Sequence, residues 1–372
     1  MSVALDGFVD KLILDGTKVG WYPDRIAAWQ RGEHIAPITI DWALTRQCNY
    51  ACEFCYAMLQ ENTRFEQTKS VAYAFLEDCA EMGVKGISLI SDGESTVHPA
   101  YSEVIRYGHA LGIGIGAGTN GLLLKKPVLE QILPCLTYLR FNFSAGTRDR
   151  YAEIMGAKPE WFDQVVQNIR DAMAIKHRDN LPVTINMQMV TMPKYADQIL
   201  PLARLAKDIR PDYLIFKHCA DDVRGQLGVD YAGYTDCEPL FREAEAMSEP
   251  DCRIVVKWSR LDGKRTYSRC YGPPFIMQVS GSGLVAPCGF LFNERYKAFH
   301  IGNICTKRFK DIWASTRYWD VMGYLASEHF DPRVRCGPNC LQHNTNTFLY
   351  DHQHRGRSLP MAEETPAHLN FI

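Results

Sequence analysis

The sequence predicts an α/β protein built from parallel β/α units, and two observations carry that prediction. From Pro37 onward, six short apolar or alternating runs are separated by stretches of helical periodicity, and strands joined by crossover helices must run parallel. This rhythm is expected to stop near Cys252, where the chain turns to cysteines and turn residues. At 372 residues there is room for one large domain with an appendage.

In chain order, residues 1–36 offer a short helix at 24–31 and little chemistry. The strands are expected at 38–44, 86–90, 113–117, 136–143, 182–190 and 213–216, from their β-branched and aromatic content and turn-forming flanks. The helices are expected at 70–82, 100–111, 126–132, 161–175 and 196–207. Residues 225–250, with an acidic run at 238–249, read as a surface helix and connection. Periodicity does not separate an open sheet from a partial barrel. In either, ligands gather at the carboxyl ends of the strands.

Hydrophobic content of 46% and charged content of 23% are ordinary for a globular chain. A formal net charge of −2 argues against a general polyanion-binding surface, so nucleic acid is an unexpected partner. The first residues lack a basic segment followed by an apolar run, and no eighteen apolar residues occur in succession. The expectation is a cytoplasmic protein with no membrane partner. Thirteen cysteines then point to metal in a reducing compartment rather than to disulfides.

Three of those cysteines, Cys48, Cys52 and Cys55, fall within eight residues, just after the first expected strand. Thiolates suit iron–sulfur clusters or zinc. A structural zinc would want a fourth ligand nearby, and the nearest downstream candidates are Cys79 and His98. Three thiolates on a four-iron cluster leave one iron open to chemistry. This C-x3-C-x-Phe-C arrangement, with Phe54 before the last cysteine, resembles the signature of the radical S-adenosylmethionine (SAM) enzymes. The resemblance implies a [4Fe-4S] cluster on Cys48, Cys52 and Cys55. It also implies SAM on the open iron, a 5'-deoxyadenosyl radical that takes a hydrogen atom from substrate, and a partial (β/α)6 TIM-like barrel.

Later segments extend the resemblance. Ser91-Asp92-Gly93-Glu94-Ser95 follows the second strand and is similar to the family's Gly-Gly-Glu-Pro motif, with Asp92 for the first glycine and Ser95 for the proline. It implies contact of Asp92, Gly93 and above all Glu94 with the SAM amino group. The alternate glycines of 112–118 read as a strand with one face bare, for close approach of cofactor or packing of a large neighbour. Thr119 and Asn120 stand at its carboxyl end, where the family has a Thr-Asn-Gly turn facing SAM. On the fourth strand Arg140, Asn142 and Ser144 share a face, and the resemblance makes Asn142 and Ser144 cofactor-binding candidates beside Phe54. Gln188, with Asn186, faces inward from the fifth strand as a contact to SAM or substrate. Lys217 to Asp222 end the sixth with titratable groups that are either substrate handles or a solvated turn.

The last third holds a hairpin at 275–286 between Cys270 and Cys288, a helix near 309–313, and then Cys336 and Cys340. The C-x12-G-x4-C segment resembles the SPASM or shortened twitch extensions of radical SAM enzymes, an α+β addition. It implies one auxiliary [4Fe-4S] cluster on Cys270, Cys288, Cys336 and Cys340, with zinc as the competing metal. Cys305 does not fit that set. Cys219 and Cys305 are the catalytic candidates, as hydrogen-atom donors.

The expected organisation is an N-terminal segment at 1–36, the barrel at 37–250, the auxiliary-cluster domain at 251–345 and a tail at 346–372, which covers the active-site mouth or packs on the surface. The expected activity is oxidation or other modification of a small molecule such as a polyol or aminosugar, with a peptide side chain as the competing substrate. An electron donor such as flavodoxin or ferredoxin is the expected partner. The same residues would also serve radical epimerisation, or a non-catalytic scaffold that carries iron–sulfur clusters.

Overall fold

The computed structural model describes residues 15–63, 65–258, 265–360 and 365–372. The first fourteen residues of the expected N-terminal segment, residues 259–264 of the expected auxiliary-cluster domain and residues 361–364 of the tail lie outside the described residues.

Seven parallel strands form the frame: β1 Thr39–Trp42, β2 Gly86–Leu89, β3 Gly114–Thr119, β4 Tyr138–Asn142, β5 Thr184–Thr191, β6 Tyr213–His218 and β7 Arg253–Val256, paired in sequence order. The architecture is that of a partial TIM-like barrel with a C-terminal extension. After α1 Pro23–Gln30, the crossovers are α2 Lys69–Met82, α3 Tyr101–Ala110, α4 Lys126–Ile132, α5 Arg148–Met155 with α6 Pro159–Arg178, α7 Ile199–Ile209 and α8 Tyr234–Ala246. Local chemistry sets several boundaries. Thr68 Oγ1 accepts from Val71 N–H to start α2, and Gly83 ends it at φ +83°. Apolar residues on the inner helix faces and outer strand faces merge into one core running from Ile40 to Phe330.

The β/α rhythm does not stop at Cys252. Helix α8 acts as a further crossover, and Ile254, Val255 and Val256 add β7 to the edge of β6. The run is only four residues long, so its β-branched content is a weak signal without its partner. The extension is also continuous with the barrel sheet. The hairpin β8 Ile276–Val279 and β9 Leu284–Ala286 joins through parallel pairing of β8 with the free side of β1, and β10 Gly302–Asn303 follows β9. Helices α9 Phe309–Trp313, α10 Thr316–Ala326, α11 Pro332–Arg335 and α12 His343–Arg355 complete the chain.

The tail runs to the end of the barrel opposite the expected mouth. Thr39 Oγ1 donates to the Asn370 carbonyl at 2.8 Å, His368 Nε2 meets Thr184 Oγ1 at 2.8 Å, and the Phe371 ring lies edge-on to Tyr138 at 5.1 Å. These partners sit at or near the amino ends of β1, β5 and β4, so residues 365–372 close the floor. Among the described residues no helix is long and apolar enough to cross a membrane.

Candidate active site

One cavity of about 300 Å³ extends from the cysteine loop at the carboxyl ends of the strands to Phe371 at the floor. Cys48, Cys52, Cys55, Phe54 and Tyr56 line its upper end. The loop is held from both sides. Glu53 N–H donates to the Ile154 carbonyl at 3.0 Å, the Tyr50 ring stacks on Trp161, and its hydroxyl meets Tyr151 Oη at 3.1 Å. On the other flank, Gln60 Nε2 donates to the Gly289 carbonyl at 2.8 Å, and Tyr56 packs on Phe290 at 4.5 Å.

Burial pushes the Cys48 thiol up to about 11 and raises Cys52 and Cys55 as well, and the mutual repulsion of the sulfurs acts in the same direction on Cys48 and Cys52. Cys48 is exposed and Cys52 and Cys55 are half-buried, and three thiols on one loop facing one space form the donor set of a soft, positively charged centre. Among the described residues no three Cys, His, Asp or Glu side chains converge on a point suited to a single metal ion. The three thiols share the wall of one space, and as thiolate donors they fit an iron–sulfur cluster.

Glu94 is 4% exposed, and its carboxylate is fixed by three donors. The Asn120 N–H donates to Oε2 at 2.8 Å, while the Thr96 N–H and Oγ1 donate to Oε1 at 3.1 and 2.8 Å. Burial raises its pKa, and these hydrogen bonds oppose the shift. Thr119 adds a further side-chain hydrogen bond to the same carboxylate, and Glu94 lines the cavity, where its negative charge can meet a cation. Gly93 makes the approach possible. It has φ +85°, and a Cβ there would stand 2.1 Å from the Thr45 carbonyl oxygen. Asn120 lines the same end, its Nδ2 donating to Asn49 Oδ1 at 2.7 Å. Asn142 and Gln188 line the middle, joined by a 3.3 Å hydrogen bond.

The remaining expected residues take different positions. Asp92 does not line the cavity. Its Oδ1 accepts from Gly281 N–H at 2.7 Å and its Oδ2 from Ser280 Oγ at 2.7 Å and Arg46 Nε at 3.2 Å, so it ties β2 to the β8–β9 turn. Ser144 is buried, and its hydroxyl accepts from the Val190 N–H at 3.2 Å. The Thr119 hydroxyl accepts from Gly121 N–H at 2.9 Å. All three buttress the site from outside the lining. Cys305 also lies outside it, with Sγ against the Ser282 carbonyl at 3.7 Å on the hairpin. Cys219 lies within it, buried at the end of β6 with Sγ 3.9 Å from the Phe54 carbonyl, and burial pushes its thiol up to about 12.

Sequence reasoning passed over Asp41, Ser88, Gln278 and Lys257 on the barrel wall, noticed Arg140 without a role, and had Lys217 among the substrate handles without joining it to the others. Asp41 accepts from Gln278 Nε2 at 3.0 Å, and burial pushes its carboxyl up to about 6 against the pull of Arg140 and Lys217. The signal available was a single polar residue inside each apolar strand.

Cys270, Cys288, Cys336 and Cys340 line a second, smaller cavity of about 60 Å³ with Arg265, Phe290 and Asn339. Burial raises the Cys270 thiol, and the Cys340, Cys336 and Cys288 sulfurs add to that rise in turn. This set also fits a cluster. Tyr56 lies between the two sites, its pKa raised by burial and by the sulfurs of Cys288 and Cys55.

Comparison with known proteins agrees with this geometry. Residues 42–206 match the family model of the Radical SAM superfamily, and residues 270–341 match an iron-sulfur cluster-binding domain, SPASM. Among curated relatives, the tungsten-containing aldehyde ferredoxin oxidoreductase cofactor-modifying protein of Pyrococcus furiosus is 22% identical over 74% of this chain and 80% of its own length. The AdoMet-dependent heme synthase of Methanosarcina barkeri is 25% identical over 75% of this chain and 82% of its own. Among solved structures, Streptococcus suis SuiB bound to S-adenosylmethionine superposes with a TM-score of 0.62 at 17% identity, over 82% of this chain and 72% of that one. The two matched regions together take in more than half of the residues, and the chain belongs to the radical SAM superfamily of iron–sulfur enzymes, with a C-terminal SPASM domain.

Proposed function

We propose that the protein oxidises or otherwise modifies a small polar molecule held inside the barrel, with an auxiliary cluster taking up the electron. The observation that carries this reading is one cavity that has the three thiols and Glu94 at its upper end and a polar wall between them and the floor. When bound, the first cluster with SAM supplies reductive cleavage of the sulfonium to a 5'-deoxyadenosyl radical.

The chain's own residues do the rest. Cys48, Cys52 and Cys55 hold the first cluster, and Cys270, Cys288, Cys336 and Cys340 hold the second. Glu94 meets the SAM ammonium with its negative charge, with the Gly93 backbone close beside it. Asn142 and Gln188 orient ribose or substrate. Phe371 and Tyr138 close the floor, which keeps water from a reactive radical. Tyr56 and Phe290 separate the two sites by packed aromatic side chains.

A second reading, radical epimerisation, is favoured by Cys219. Apart from the three loop cysteines it is the cysteine lining the cavity among the described residues, and burial keeps it an S–H able to return a hydrogen atom. A peptide substrate is a broader possibility. Exposed Met58, Leu59 and Phe65, following the cysteine loop, offer apolar contact to a chain reaching out of the barrel. Flavodoxin or ferredoxin is the electron donor class this chemistry calls for.

The test is anaerobic reconstitution with SAM and dithionite. Wild-type protein is expected to form 5'-deoxyadenosine and Cys48→Ala none, while Cys288→Ala loses the iron of one cluster and keeps SAM cleavage. Equal 5'-deoxyadenosine from wild type and Cys48→Ala overturns the proposal. With deuterated candidate substrates, a product two electrons more oxidised supports oxidation. Solvent deuterium in the product, lost in Cys219→Ala, supports epimerisation instead.

A further inference from the structure

The inner wall below the SAM end carries charges that the chemistry above leaves without a role. Strand register puts them there. Asp41 on β1 pairs with Ser88 on β2 and Gln278 on β8, and Arg140 on β4 pairs with Gly118 on β3 and Asn186 on β5. Lys217 on β6 pairs with Val190, two residues beyond Gln188. Asp41, Arg140, Lys217 and Lys257 all line the cavity. Together with Glu94 and the Ile372 terminus at the floor they make this wall a charged one, with three cations set among carboxylates.

Arg140 has a seat made for it. A Cβ on Gly118 would lie 2.8 Å from its Nη2 and 3.2 Å from its Cζ, beside Ile90 Cγ2 at 2.7 Å, so the guanidinium fills space that a side chain on β3 would need. The same device one layer down seats Tyr138, whose ring a Cβ on Gly116 would meet at 2.0 Å. The Nε of Arg140 is buried and has no hydrogen-bond partner among the described residues. A buried donor without a partner is costly, and a guanidinium fork matches a planar carboxylate.

We propose that Arg140 and Lys217 form a subsite for a carboxylate of the substrate, within the cavity that also holds SAM. This rests on the function proposed above and names its substrate class, a small carboxylic acid. Asp41, held by Gln278, offsets part of the positive charge at this wall, which favours a carboxylate group, with one charge, over a phosphate group that concentrates up to two on one centre. Arg140 lies two residues below Asn142 on the same strand face, about 7 Å at roughly 3.3 Å per residue. The carboxylate is thereby held at the deep end, while the carbon to be attacked lies nearer Asn142.

The test uses anaerobically reconstituted protein saturated with SAM, titrated calorimetrically with glutarate, its neutral diamide glutaramide, and inorganic phosphate. Glutarate is expected to bind at least tenfold more tightly than glutaramide or phosphate. Arg140→Gln and Lys217→Met are each expected to weaken glutarate at least tenfold, and Arg140→Lys is expected to recover part of the loss. Gly118→Ala keeps every charge but displaces the guanidinium, and should weaken glutarate as well.

Glutarate binding no tighter than glutaramide, or unchanged in both Arg140→Gln and Lys217→Met, overturns the proposal. Phosphate binding as tightly as glutarate overturns the choice of carboxylate. A parallel titration with SAM decides whether the arginine serves SAM instead, since an equal loss of SAM affinity in Arg140→Gln also overturns the subsite. Formation of 5'-deoxyadenosine by wild-type protein without substrate reports separately on the radical SAM activity, so failure of the subsite and failure of that activity are distinguishable.

Discussion

Asp92 occupies a position where the family motif has glycine, and the structure gives it work that glycine could not do. Its carboxylate, 4% exposed, accepts from the Gly281 N–H, the Ser280 hydroxyl and the Arg46 guanidinium. Asp92→Ala leaves the backbone N–H without its acceptor and the half-buried Arg46 without its partner. Hydrogen bonds to a charged group contribute about 1.5–3 kcal/mol each, but they share one carboxylate, and the hydroxyl of Ser280 can turn to Ser282 at 3.1 Å. A total of about 3 kcal/mol is therefore expected, or about 6 °C in melting temperature at roughly 2 °C per kcal/mol for a large domain. Asp92→Asn retains an acceptor for Gly281 and should cost about 1 kcal/mol. The assay is thermal unfolding of the reconstituted protein under anaerobic conditions, with iron content measured on the same samples. Because the turn follows β8 and precedes Cys288, Asp92→Ala should also lose iron from the auxiliary site before the first. Melting and iron content equal to wild type in Asp92→Ala would show that the hairpin is anchored elsewhere, and the reasoning would be wrong.

Three further outcomes follow from particular contacts. Gly93→Ala forces a side chain into a positive-φ position 2.1 Å from the Thr45 oxygen. It should weaken SAM binding by at least tenfold in equilibrium dialysis and destabilise the fold by roughly 1 kcal/mol or more. Cys305→Ser should leave iron content and 5'-deoxyadenosine formation at wild-type levels, whereas loss of either would bring its thiol back into the chemistry. His368 is held by burial first, and by Lys18 and Lys176, well below its ordinary value, at about 4. The unfolded chain thus binds more protons than the folded one between about pH 6.5 and 4. The stability His368 supplies is present above about pH 6.5 and is lost as pH falls towards 4. Hydrogen-exchange protection at the amino ends of β1 and β5, corrected for the slower intrinsic exchange in acid, should therefore fall on acidification in wild type and change less in His368→Asn. Equal acid response in both proteins counts against this role.

How much of the molecule was legible in the sequence depends on whether a feature is local. Six strands and most helices were read correctly because each carries its own periodicity. The cysteine loop and Glu94 were legible because a motif keeps its ligands within one turn of chain. Helix α5 was missed for lack of a clear apolar stripe in so short a segment, although its Tyr151, Ile154 and Met155 are buried. Strand β7 and the addition of β8 to β1 were not legible because both depend on an open sheet edge, which exists only once the other strands have paired. Asp92 shows the same limit at a single residue. Its position in the motif suggested a ligand contact, yet its partners lie 188 and 189 residues away on a hairpin that sequence alone does not bring near.

The barrel wall shows most clearly what register adds. Asp41 looks unremarkable on its own strand, since a lone polar residue in an apolar run has no spacing by which to be recognised, and Arg140 and Lys217, though visible on theirs, carry no sign that they face it. They meet because parallel pairing from β1 to β6 is in register and each side chain points inward with period two. The glycines of β3 were read correctly as a bare face, but which large neighbour fills it depends on Gly116 opposing Tyr138 and Gly118 opposing Arg140. A slip of one residue in that pairing would turn Arg140 into the apolar layer beneath the helices. On the proposed subsite the choice of substrate would be encoded less in a motif than in the register of β3 against β4, and Gly118→Ala, which keeps every charge and displaces the guanidinium, is the variant that separates these two accounts.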